Sequence, residues 1–82
     1  MIEVLYFAWL RERVGEHSEM IETGADTVAE LVEELRRRSE AHALAFSDMT
    51  SVRVAIDQDL ADMNASLAGA REVAFFPPMT GG

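Results

Sequence analysis

Two periods of apolar residues run along this chain. Ile2-Glu3-Val4-Leu5-Tyr6-Phe7-Ala8 is rich in strand formers and predicts an opening strand. Trp9 to Val14 (WLRERV) ends at Gly15 and reads as one short helical turn or loop. His17 to Thr23 places Met20 and Ile21 among polar residues and closes at Gly24, which predicts a second strand hairpinned to the first. The period then becomes helical. Thr27-Val28-Ala29-Glu30 fits the S/T-x-x-E capping box, and Val28, Leu31, Val32 and Leu35 recur at i, i+3, i+4, i+7. Glu33 with Arg37, and Glu34 with Arg38, sit four apart in the favoured orientation. These signals predict an amphipathic helix over about residues 27 to 39. The triplet Arg36-Arg37-Arg38 falls where the helix dipole favours cations, so a solvated helix end is expected there rather than an anion site. Residues 40 to 50 show no clean period, with Leu44 and Phe46 expected to plug one edge of the core. Ser51 to Ile56 alternates as a strand, Asp57-Gln58-Asp59 suits a turn, and a short strand is expected around Leu60. Gly69 lies in a loop, as a residue free to take positive φ. Arg71 to Phe76 forms a last strand, ended by Pro77-Pro78, which cannot donate ladder hydrogen bonds.

The predicted order is strand, strand, helix, strand, short strand, strand. It resembles the β-grasp, or ubiquitin-like, fold: α+β, a mixed sheet of four to five strands with one main helix packed on one face. The domain is expected over residues 1–78, with a flexible Gly-Gly tail at 79–82. Strand parity divides the sheet into two faces. Ile2, Val4, Tyr6, Val73 and Phe75 are expected to face the helix. Glu3, Leu5, Phe7, Glu72, Ala74 and Phe76 are expected on the open face, where Phe7, Phe76 and Leu60 would form an exposed apolar patch at the root of the tail.

Composition narrows the function classes. The 82 residues carry seven basic and fifteen acidic side chains, a net charge of −8, and every basic residue is arginine. Nucleic-acid binding needs clustered positive charge, so no nucleic-acid partner is expected. The apolar runs are far shorter than the ~20 residues of a membrane span. Met1-Ile2-Glu3 does not resemble a secretory leader, so a cytoplasmic protein is expected. With no cysteine, thiolate metal sites and thiol nucleophiles are excluded. His17 and His42 stand 25 residues apart and are expected at the surface, so no metal site and no cofactor bound by this chain are expected. Asp57 and Asp59 suit a turn rather than an acid–base pair.

Chemistry concentrates at the end of the sequence, Phe75-Phe76-Pro77-Pro78-Met79-Thr80-Gly81-Gly82. Two prolines stiffen the exit from the last strand. Two glycines follow, bare enough to enter a slot too narrow for any side chain, leaving the Gly82 α-carboxylate as the functional group at the tip. The FFPPMTGG ending, the opening IEVLYFA followed by LRERVG, the helix beginning at Thr27 and the EVAFFPP strand together resemble the small subunit of molybdopterin synthases. The chain departs from that pattern at Ala68-Gly69-Ala70-Arg71-Glu72, where members often carry Asp-Gly-Asp-Glu, and at Asp57, where many carry Asn. The resemblance implies a sulfur carrier. Gly82 would be adenylated by an activating enzyme that uses ATP, converted to a thiocarboxylate, and would pass its sulfur to cyclic pyranopterin monophosphate in the large subunit, with Gly81 as the thin stem. Catalytic side chains would then belong to the partners. Phe7, Leu60, Phe76, Pro77, Pro78, Met79 and Thr80 would contact the partner, in a heterotetramer of two carriers on a large-subunit dimer. Alternatives are the thiamine-pathway sulfur carrier, a ubiquitin-like protein modifier, and a binding module with an inert tail.

Overall fold

A computed structural model describes residues 1–78. Five strands, β1 (Ile2–Tyr6), β2 (Ser18–Ile21), β3 (Arg53–Ile56), β4 (Asp59–Ala61) and β5 (Glu72–Phe76), form one sheet in the order β2-β1-β5-β3-β4. β1 and β5 run parallel, and the other neighbours run antiparallel. Three helices accompany them: α1 (Trp9–Val14), α2 (Val28–Arg36) and α3 (Glu40–Ala45), with a 3-10 turn at Met49–Ser51. The α+β β-grasp expectation therefore holds, with five strands and α2 as the main helix.

The helical stripe becomes the core. Val28, Leu31, Val32 and Leu35 of α2 are buried against Ile2, Val4, Tyr6, Val54, Val73 and Phe75 of the sheet. The start of α2 is held from two sides. The Thr27 hydroxyl accepts the Glu30 N–H at 3.3 Å, and the Glu30 carboxylate reaches back to the Asp26 N–H at 3.4 Å. The Val28 and Ala29 N–H groups, which no helix can satisfy internally, donate to the Ala65 and Met63 carbonyls. That pins the long loop before β5 to the helix. Within this loop Gly69 has φ +75°, the left-handed conformation that glycine adopts without a steric penalty.

Four expectations need correction. The main helix ends at Arg36 rather than 39, because Ser39 turns extended (φ −165°) and caps α3 by accepting the His42 N–H. Nor is the arginine triplet simply a solvated end. Arg36 donates through Nε and Nη2 to the Phe46 carbonyl at the end of α3 (3.0 and 2.6 Å), and Arg38 lies 3.6 Å from Glu19. In addition, α3 turns His42, Ala45 and Phe46 inward and Leu44 outward, so Phe46 plugs the core while Leu44 is exposed.

His42 is accordingly buried, not at the surface as expected, whereas His17 is exposed. The reason is Glu19. In β2, Glu19 pairs in register with Val4, so parity aims its side chain at the core side of the sheet. There its Oε1 lies 2.7 Å from His42 Nε2 and accepts the Tyr6 hydroxyl at 2.9 Å, while Ser39 Oγ lies 2.7 Å from His42 Nδ1. Buried polar groups must find partners, and this cluster satisfies every member it contains. Burial alone would raise the Glu19 pKa, but hydrogen bonds from His42 and Tyr6 and the charges of His42 and Arg38 outweigh it and hold the carboxyl below its ordinary value. The Tyr6 phenol is pushed far up, by burial first and then by Glu19.

Candidate docking face and tail root

The side of the sheet away from α2 is built row by row. Residues paired across neighbouring strands share a face, so the ladder registers define the rows. One row reads Leu60, Ala55, Ala74, Leu5 from β4 to β1. The next row toward the tail pairs Arg53 with Phe76, with Phe7 just beyond β1 on the other side. The row at the far end pairs Glu72 with Glu3 and Glu3 with Met20. The face thus runs from acidic, through apolar, to aromatic, and the chain leaves at the aromatic end through Pro77-Pro78.

Leu5, Phe7, Gln58, Glu72, Ala74, Phe76 and Pro77 line a shallow concavity of about 620 Å³ on this face. Phe7 in it is 49% exposed, Leu5, Phe76 and Pro77 are half-buried, Ala74 is covered, and Leu60, on the same face, is 81% exposed. A half-exposed phenylalanine and an exposed leucine thus share one sheet face. The structure brings Phe7, Phe76 and Pro77 together as the sequence predicts. Leu60 shares the face but borders the concavity rather than lining it. Leu5 and Ala74 follow from the parity argument, whereas Gln58 does not. It reaches the concavity because the turn between β3 and β4 curls over the acidic end of the face, and that position was not readable from alternation. Pro78 is half-buried beside the exit. Met79, Thr80, Gly81 and Gly82 lie outside the described residues.

The turn is held by a side chain that strand alternation leaves unassigned. The Asp57 carboxylate accepts the Arg71 and Glu72 N–H groups, both at 3.0 Å, and the Asp57 N–H donates to the Glu72 carbonyl. The aspartate thereby ties the β3–β4 turn to the first residue of β5. Among the described residues no cluster of His, Asp and Glu is arranged to hold a metal ion, and no helix is long and apolar enough to cross a membrane.

The ThiS family model matches residues 4–82. The chain belongs to the ThiS family. Within curated proteins, this ThiS-family chain is 39% identical over all 82 residues, and over the full length of both chains, to the molybdopterin synthase sulfur carrier subunit of Escherichia coli. It is 35% identical, again over both full lengths, to the protein of that name from Haemophilus influenzae. Among solved structures it resembles SAMP1 from Haloferax volcanii, with a TM-score of 0.74 at 25% identity, covering 99% of this chain and 98% of that one. It also resembles a molybdopterin converting factor subunit 1 from Pyrococcus furiosus, with a TM-score of 0.72 at 25% identity, covering 95% and 97%. The ThiS-family fold and the predicted β-grasp therefore coincide.

Proposed function

We propose that this chain is the sulfur carrier subunit of molybdopterin synthase, and that the Gly82 α-carboxylate carries the sulfur. The observation that carries the reading is the 39% identity, without truncation on either side, to a protein of that name. The open face adds physical support, because an exposed apolar patch sits where the chain leads into Pro77-Pro78 and the glycines.

The chemistry divides between carrier and partners. A carboxylate is a poor electrophile because its leaving group would be oxide. In the activating enzyme, a Gly82 oxygen attacks the α-phosphate of ATP and expels pyrophosphate, which turns that oxygen into part of an AMP leaving group. Hydrosulfide delivered by a donor then attacks the acyl carbon, the bond to AMP breaks, and the thiocarboxylate remains. Sulfur is the nucleophilic atom of that group, and in the large subunit it attacks the pyranopterin precursor. Hydrolysis of the resulting acyl link leaves sulfur on the product and restores the Gly82 carboxylate. No side chain of the carrier takes part. Its contribution is delivery: Phe7, Leu60 and Phe76 dock, Pro77 and Pro78 set the exit, Met79 and Thr80 line the path, and Gly81 keeps the last peptide slim.

A second reading, a protein modifier joined through Gly82 to lysines of other proteins, draws on the likeness to small archaeal modifier protein 1 of Haloferax volcanii, at 24% identity a likeness of fold alone. The full-length identity to the carriers outweighs it. Reconstitution with large subunit, activating enzyme, ATP and sulfur donor decides between them. The carrier reading expects molybdopterin from the pyranopterin precursor, whereas lysine-linked adducts without molybdopterin would overturn it.

A further inference from the structure

Arg53 is the basic residue in the rows of a face whose other members are apolar, acidic or neutral polar. It opens β3, is exposed, and pairs in register with Phe76 at the tail end of the sheet. Its guanidinium is anchored on one side only: Nη1 donates to the Thr50 and Val52 carbonyls at 3.0 and 3.1 Å. No carboxylate lies within ion-pair distance of it among the described residues, although the chain holds fifteen acidic side chains. At the other end of the same face, Glu3 and Glu72 are direct neighbours in the parallel ladder, so two carboxylates gather there.

We propose that the large subunit presents a carboxylate to Arg53, beside the entrance for the carrier's tail. This rests on the carrier reading above and deepens it. The argument is one of desolvation. If Phe76 is buried on docking, its cross-strand neighbour Arg53 loses water with it. A guanidinium taken out of water without a counter-charge is strongly unfavourable, whereas one that meets a carboxylate with its free Nη2 and Nε edge gains two charge-assisted hydrogen bonds. The anchored Nη1 fixes where that edge points, so little side-chain entropy remains to be lost. With acids at one end of the face and Arg53 at the other, the docked carrier has a single electrostatic orientation, and it is the one that leads Pro77-Pro78 past the partner's carboxylate. A carrier turned end for end would set Glu3 and Glu72 against that same carboxylate.

The test is a binding titration of the carrier against the large subunit of the same organism, comparing wild type, Arg53→Leu, Arg53→Glu and Phe76→Ala at low and moderate salt. Thermal melts of each variant establish folding. Arg53→Leu is expected to weaken binding several-fold and Arg53→Glu by at least about tenfold, more at low salt, as for a close interfacial charge pair. Reversing the opposing carboxylate of the large subunit to arginine should restore binding of Arg53→Glu. If Arg53→Leu binds as well as or better than wild type while Phe76→Ala binds worse, the partner's site is not acidic and this inference fails alone. If Phe76→Ala also binds like wild type, the docking face itself is misassigned. Arg53→Leu conserves strand propensity and carries the test if Arg53→Glu does not fold.

Discussion

Asp57 and Gln58 have φ of +48° and +73°, the signature of a type I′ hairpin turn normally filled by Asn-Gly or Asp-Gly. Gln58 bears strain that a glycine would not, so Gln58→Gly is expected to raise stability, because relief of the left-handed side chain (about 1–2 kcal/mol) exceeds the added entropy cost of glycine (about 0.5–1 kcal/mol). Asp57→Ala removes the acceptor for two backbone N–H groups at the head of β5 and is expected to cost about 1–2 kcal/mol, with Asp57→Asn closer to wild type. Chemical denaturation of the three variants checks both signs. A further residue-scale prediction concerns Glu19. Its folded pKa lies below the ordinary 4.5, so the stability it contributes is complete above that value and is lost as pH falls through the folded one. Wild type should therefore be more stable than Glu19→Gln near neutral pH, and the gap should shrink on acidification below 4.5. Melting curves that stay parallel across that range would contradict it. Neither Glu19 nor His42 announced itself in the sequence. Each looks like a polar residue in a polar stretch, and their pairing depends on a contact across 23 positions that only the folded chain creates. Asp57 was readable as a turn residue because that role is local, but its two bonds to β5 were not.

Elements differ in legibility for the same reason. α2 carries its own evidence, a cap and a stripe within a few residues, and the structure reproduces both. The predicted pairs Glu33–Arg37 and Glu34–Arg38 do not form, because the helix ends at Arg36, Glu33 pairs with Arg36 instead and Arg38 turns to Glu19. Leu35, fully buried on that stripe, is expected to cost about 2–5 kcal/mol when cut to Ala, measured by denaturant unfolding. Unchanged stability would place the stripe on the wrong side. α3 was not predicted, because six residues give less than two turns and its inward group, His42, Ala45 and Phe46, contains only one large apolar side chain. Its stability is tertiary, supplied by Phe46 packing on Tyr6 and Phe75 and by Arg36 holding the Phe46 carbonyl. The strands lie between these cases. Alternation gave their faces correctly, and the ladder registers then explain why Ala74 is nearly covered although it faces outward: its neighbours in the row, Leu5 and Ala55, flank so small a side chain.

At the scale of the whole molecule, the parallel pairing of β1 with β5 is the decisive feature. It joins the two ends of the sequence, sets Phe7 beside Phe76, and puts both at the point where the chain departs for Gly82. Phe76→Ala is accordingly expected to weaken association with the large subunit by about 1–4 kcal/mol while the fold persists, read by calorimetric titration. The carrier reading makes its sharpest demand on the chain tip. Intact-mass analysis after incubation with the activating enzyme, ATP and a sulfur donor should show wild-type protein gaining the mass of one oxygen exchanged for sulfur, and protein lacking Gly82 gaining nothing while still binding the large subunit. A Gly82-deleted chain that acquires the same sulfur, or a wild-type chain that never does, would contradict the account.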